Sequence, residues 1–353
     1  MQQYRFLSLT ALLAGVTLFS SCSNDDPEPI VIPPTESGLI EVNGGGATYP
    51  NTAFIDLSTG TQTAVARESW DLAFATGSEF KVLINGTTGA MAYATGETDI
   101  NAVSAADMTA ADSAALVLSH TNPLGILHVD DPSNPLSSPI ISAVSATEGN
   151  NQVYILSRGA SAVDEKPFKK IRIIRKGEGY TLQHASADAT DFTSVDITKE
   201  SDLNFVYFSF EDGIVGVEPG KGAWDFAWSA GTSTTPFASA PNGILAYFYQ
   251  DLIFHNIYGG AGVSEVLEED IAYEDFTEGD AMGLSFNTTD RLSIGSNWRA
   301  GGGPTSAPVV KEDVYYVVKD AEENIYKVRF LSVTKDGERG KPSFEFELVS
   351  EEM

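Results

Sequence analysis

The chain has 353 residues and sets 21 Lys and Arg against 49 Asp and Glu, a formal net charge of −28. A surface this acidic repels phosphate backbones and anionic membrane faces, which argues against nucleic acid as a partner. One cysteine leaves no disulfide to staple the fold, so stability rests on a buried core, which a chain of this length can build.

The first element in chain order is a secretory signal. Arg5, an apolar run from Phe6 to Phe19 and the small pair Ser20-Ser21 precede Cys22, and the run is too short to span a bilayer. This order predicts a lipoprotein signal peptide over residues 1–21 and acylation of Cys22; the alternative is an ordinary signal with an incidental cysteine. Loss of Arg5 takes the mature charge to roughly −29. Residues 22–38, rich in Pro and acid, read as a semi-rigid tether.

The rest of the chain repeats itself loosely. Trp70-Asp71-Leu72-Ala73-Phe74 recurs as Trp224-Asp225-Phe226-Ala227-Trp228. After each comes a strand ending in Asn with a Gly four residues on, Asn85 with Gly89 and Asn256 with Gly260. Each half closes with paired strands: Tyr154–Arg158 with Lys169–Arg175, and Tyr315–Lys319 with Tyr326–Leu331. Alternation in Tyr326-Lys327-Val328-Arg329-Phe330 has period two, the mark of a half-buried strand, and Phe344–Leu348 continues it. One helix is expected over Ala105–Ala115, with Ser104 as its N-cap. Trp70 and Trp224 are expected to anchor two cores, each following Asp bonding backbone. The expected architecture is all-β, with tandem antiparallel sheet domains over residues 39–200 and 201–353, long loops and a helix in the first insert.

Several of these segments resemble the HmuY-like haem-binding lipoproteins of Bacteroidetes. They are Trp224–Trp228, Ile294-Gly295-Ser296-Asn297-Trp298-Arg299, Tyr315–Asp320, Tyr326–Phe330 and Gly340–Phe344, which cover the second half best. The acidic Ser23-Asn24-Asp25-Asp26 likewise resembles the signal that exports such lipoproteins to the cell surface. The resemblance implies haem as cofactor, two His or two Met as axial ligands on loops, outer-membrane localisation, and delivery to an outer-membrane haem transporter of the TonB-dependent type.

Haem requires a flat apolar slot, axial ligands for its iron and polar partners for its propionates. His255, beside a glycine turn and after Tyr247-Phe248-Tyr249, is the first candidate ligand, and Met282 is the candidate opposite it. Tyr249, Tyr258, Trp298 and Arg299 are candidate pocket residues, with Arg291 and Lys311 as further cations nearby. His120 and His128 flank Asn122-Pro123-Leu124-Gly125 and form a second, weaker iron pair; His184 reads as an outward strand residue. Each has a plain structural alternative: a backbone hydrogen bond for a His, gap filling for a Met. A surface module for glycans or proteins, stacking on Trp298, Tyr258 and Tyr249, is the competing function. No H-E-x-x-H, G-x-S-x-G or cysteine nucleophile suggests an enzyme. Asp188, Asp191 and Asp196 lack the order of an EF-hand loop.

Overall fold

The computed structural model describes residues 33–159, 166–302 and 306–351. The expected signal peptide, Cys22 and most of the expected tether therefore lie outside the described residues, and residues 34–353 form one compact unit.

Strands dominate, as the alternation predicts. The first half contributes β1 (Ser37–Glu41), β2 (Asn51–Asp56), β3 (Thr61–Ala66), β4 (Leu72–Ala75), β5 (Val82–Ile84), β6 (Met91–Ala94), β7 (Val153–Ser157), β8 (Lys169–Lys176) and β9 (Gly179–Ser186). The second contributes β10 (Thr193–Ile197), β11 (Phe205–Ser209), β12 (Gly213–Val215), β13 (Phe226–Pro236), β14 (Ile244–His255) and β15 (Gly262–Leu267). It continues with the short ribbon β16 (Arg299–Ala300) and β17 (Val309–Val310), then β18 (Val314–Lys319), β19 (Ile325–Lys335) and β20 (Glu338–Ser350). The helix of the first insert, α1 (Ala110–Ala115), is shorter than expected. Ser104 instead caps a 3-10 turn at Ala105–Asp107, and Thr109 starts α1 through a capping box with Asp112. A second short helix, α2 (Glu278–Ala281), lies between β15 and β16.

The expected boundary at residue 201 does not separate two independent sheets. The strand orders are β10-β9-β8-β7-β6 with β12-β11-β4-β5, and β1-β20-β19-β18-β15 with β3-β2-β13-β14. The two pairs match strand for strand, so the repeat is real. Each half, however, lends its first three strands to the sheets of the other. β1 pairs with β20 and β2 with β13; reciprocally, β10 pairs with β9 and β11 with β4. The repeat thus begins at β10, inside the polar segment before residue 201.

The repeated motifs hold these exchanged strands. Asp71 Oδ2 accepts from Phe210 N at 2.9 Å, just past β11, while Asp71 N donates to Phe208 O at 2.8 Å. Asp225 Oδ2 accepts from Leu57 N at 2.7 Å, just past β2, and Asp225 N donates to Ile55 O at 2.8 Å. Each aspartate therefore clips a strand from the opposite half. The asparagines close the same corners: Asn85 Nδ2 donates to Arg67 O and Trp70 O, and Asn256 Nδ2 to Lys221 O and Trp224 O, all at 2.8–2.9 Å. The turns after them require left-handed backbone, with φ +76° at Gly89 and +110° at Gly260, which is why glycine recurs there.

Both faces of the five-stranded sheets are covered, which period-two reading does not reveal. Lys170 and Lys327 stand at outward positions yet are buried. Lys170 Nζ donates to Val103 O and Ala189 O, both at 2.7 Å, and Lys327 Nζ to Tyr273 O at 3.0 Å. The first insert thus covers one sheet, and the segment around Tyr273 covers the other. The charged ends survive burial because carbonyls receive them.

Candidate functional site

Between the two four-stranded sheets lies a core of Phe54, Ala73, Leu83, Tyr207, Trp224, Ala227 and Phe254, with Trp70 and Tyr258 half-buried against it. Equivalent edge-on pairs build its walls: Phe54 on Trp224 at 5.1 Å, and Tyr207 on Trp70 at 4.9 Å. Trp224 is the more enclosed anchor. A cavity of about 110 Å³ opens among these rings, and His255, Tyr258, Glu218, Asp130 and Arg291 also line it.

Burial governs the charges here. It lifts Asp130 to about 7, although Ile84 N and Ile140 N donate to its two oxygens at 2.9 and 2.8 Å. It lifts Glu218 to about 8, against hydrogen bonds from Tyr207 and Phe205. Burial also pushes the Arg291 guanidinium down from its ordinary value, with Tyr258 and Asp130 opposing. Arg291 Nε donates to Pro132 O at 2.8 Å, and its guanidinium lies 5.1 Å from the Phe254 ring centre. No local pattern marks Asp130 and Glu218 for enclosure, because the partners that receive them lie on other elements: Ile84 of β5 for Asp130, Phe205 and Tyr207 of β11 for Glu218.

His255 ends β14 and is 2 % exposed. A carbonyl can only accept, so the 2.9 Å contact with Asn287 O makes Nε2 the donor and leaves Nδ1 with the lone pair. Nδ1 has no hydrogen-bond partner, and burial pushes the ring down to about 4, so it is neutral at pH 7. Met282 follows α2, is 80 % exposed and does not line the cavity with His255. The structure therefore does not bring this candidate pair into one site.

The other candidates scatter. Trp298 is 1 % exposed, stacks on Phe330 at 4.5 Å and donates to Asp251 O at 3.1 Å, so its face is closed to a glycan. Arg299 Nε lies 3.5 Å from the buried Asp251 carboxylate. Tyr249 is half-buried and edge-on to Tyr247 at 5.5 Å. The Tyr258 hydroxyl accepts from Leu136 N at 2.9 Å and donates to Asn134 Oδ1 at 3.1 Å. His184 is half-buried on β9, edge-on to Phe208 and tilted against Phe210. Asp196 receives Thr181 Oγ1 at 2.7 Å and Lys176, and no cluster of three or more His, Cys, Asp or Glu exists among the described residues.

The first insert holds a different arrangement. His128 is half-buried, and its Nδ1 donates to Ala92 O at 3.1 Å, which leaves the Nε2 lone pair free of that contact. Tyr93 stacks on the imidazole with centroids 6.3 Å apart and planes 28° from parallel. On the same insert, Val117, Leu124 and Leu127 are each about half exposed. His120 is exposed on the same insert, and Met91 and Met108 are buried in the cluster beneath it.

A family model described as HmuY protein matches residues 48–346. Among solved structures, an apo HmuY analogue of Tannerella forsythia is 13 % identical, with a TM-score of 0.24 over 90 % of this chain and 99 % of that one. Apo PinO of Porphyromonas gingivitis is 13 % identical, with a TM-score of 0.17 over 46 % of this chain and 87 % of that one. Neither likeness is close enough in backbone to carry an argument. Among curated proteins none matches.

Proposed function

The chain belongs to the HmuY family, and from that premise we propose that it is a haem-binding protein whose iron is held by His128. One observation carries this reading. The Ala92 carbonyl fixes the Nδ1–H tautomer, as hydrogen bonds commonly do for metal-ligating histidines, and so presents Nε2 as the ligand. Tyr93 stacks on the ring, and Leu124 and Leu127 are exposed on the turn that carries it. His255 is the weaker candidate. Its cavity of about 110 Å³ falls short of the roughly 300 Å³ at which drug-sized ligand pockets begin, and a porphyrin is larger still.

With Cys22 acylated, the protein holds haem at the outer surface of the outer membrane and passes it to a transporter. An open site suits such a relay, since exposed ligands exchange faster than enclosed ones. Haemin added to the full mature chain is expected to give a Soret band shifted from that of free haemin and saturating at one equivalent. A spectrum unchanged in both the ferric and ferrous states removes haem binding altogether.

A further inference from the structure

We infer that the cavity between the two four-stranded sheets binds a small, flat, carboxylate-bearing molecule of about one aromatic ring, independently of any haem on the first insert. Its volume of about 110 Å³ is of the same order as the engineered cavity of about 150 Å³ that accepts benzene. Rings of Phe54, Tyr207, Trp224 and Phe254 supply the apolar walls.

That cavity is not simply apolar, and its polar groups are incompletely served. Arg291 is half-buried: its Nε donates to Pro132 O and its guanidinium lies 5.1 Å from the Phe254 ring centre, while among the described residues its terminal nitrogens make no hydrogen bond and are not fully enclosed. The Trp224 indole N–H has no partner although the side chain is 8 % exposed. His255 Nδ1, on a ring 2 % exposed, also lacks one. Buried polar groups left open are costly, by about 1–3 kcal/mol each, and natural proteins rarely retain them without an occupant. A guanidinium fork is the donor set that best matches a carboxylate. Trp224 offers a second donor and His255 an acceptor for a hydroxyl or amine on the same ligand. The two nearby carboxyls oppose an anion least below neutral pH, because burial lifts Glu218 to about 8 and Asp130 to about 7, although the backbone N–H groups on Asp130 favour its charged form.

The test is calorimetric titration of the full mature chain with benzoate at about pH 6, where both lifted carboxyls are mostly protonated. Benzyl alcohol, of nearly the same shape without the charge, is the control that needs no variant. Saturable benzoate binding is expected, with benzyl alcohol weaker by about ten- to hundredfold, the worth of a charge-assisted hydrogen bond. Arg291→Gln is expected to bring benzoate down to the level of the alcohol, and Trp224→Phe to weaken it less, both judged in chains whose circular dichroism matches the parent. Equal affinity for the two probes, undiminished benzoate binding by Arg291→Gln, or a crystal grown with benzoate that shows ordered water only overturns the assignment. Haemin titration of the same samples reads the insert site separately, so failure of one reading leaves the other standing.

Discussion

Asp71 and Asp225 sit at equivalent corners and accept equivalent backbone hydrogen bonds, but their electrostatics differ. Asp71 faces Arg158, whose Nε and one terminal nitrogen lie 2.7 and 2.9 Å from its two oxygens, and Glu211 joins the same guanidinium. Asp225 has no cation among the described residues; burial first, and then Asp320 and Asp56, hold its carboxyl well above its ordinary value. The residue placed like Arg158 in the register of the second half is Asp320, an anion that raises Asp225 further rather than pairing with it. One geometric task, clipping a strand borrowed from the other half, is therefore met once by an ion pair and once by a carboxyl that burial and neighbouring anions raise well above its ordinary value. The backbone contact is what the repeat preserves, and the charge is free to diverge.

That contrast can be broken first on its charged side. Arg158→Ala strands a buried carboxylate and is expected to cost about 3–5 kcal/mol in urea unfolding. Asp225→Asn keeps an oxygen for Leu57 N and removes no ion pair, so it is expected to shift stability by less than about 1 kcal/mol at pH 7. Equal losses for the two would erase the distinction.

Acidity sharpens the same comparison. Burial raises Asp225, lifts Asp130 to about 7 and Glu218 to about 8, so the folded chain binds these protons more tightly than the unfolded one. Stability from these groups then rises as pH falls from about 8 towards about 4.5, and below the unfolded values it changes no further. Glu218→Gln is expected to flatten the upper part of that slope, by on the order of a few kcal/mol across the window, in unfolding followed against pH. A smaller loss, about 2 kcal/mol, is expected for Asn85→Ala, and the same for Asn256→Ala, because both corners lose two backbone contacts regardless of charge. The smallest stability effect belongs to Leu127→Ser, about half exposed: near zero in urea, yet a weaker haemin titration.

Local patterns in the sequence foretold much of this. The Asp and Asn corner contacts and the closing hairpins are short-range signals and form where expected, whereas Trp70 and Trp224 line one shared core rather than two. The exchange of β1–β3 and β10–β12 was not legible, because a strand's own alternation says which face it buries and nothing about which remote strand it joins. β10 hid in a polar stretch for the same reason: only Val195, half-buried, and Ile197, buried, turn inward. At the site, the aromatic and glycine turn near His255 drew attention to a residue that the fold encloses. His128 carries no such local mark, since the Ala92 carbonyl that orients it comes from β6.

The most direct measurement is a parallel haemin titration of the mature chain, His128→Ala and His255→Ala, followed in the Soret region. A shifted band that survives in His255→Ala and is lost in His128→Ala is the predicted result. Loss in His255→Ala with retention in His128→Ala would move the iron to the enclosed cavity and contradict the account.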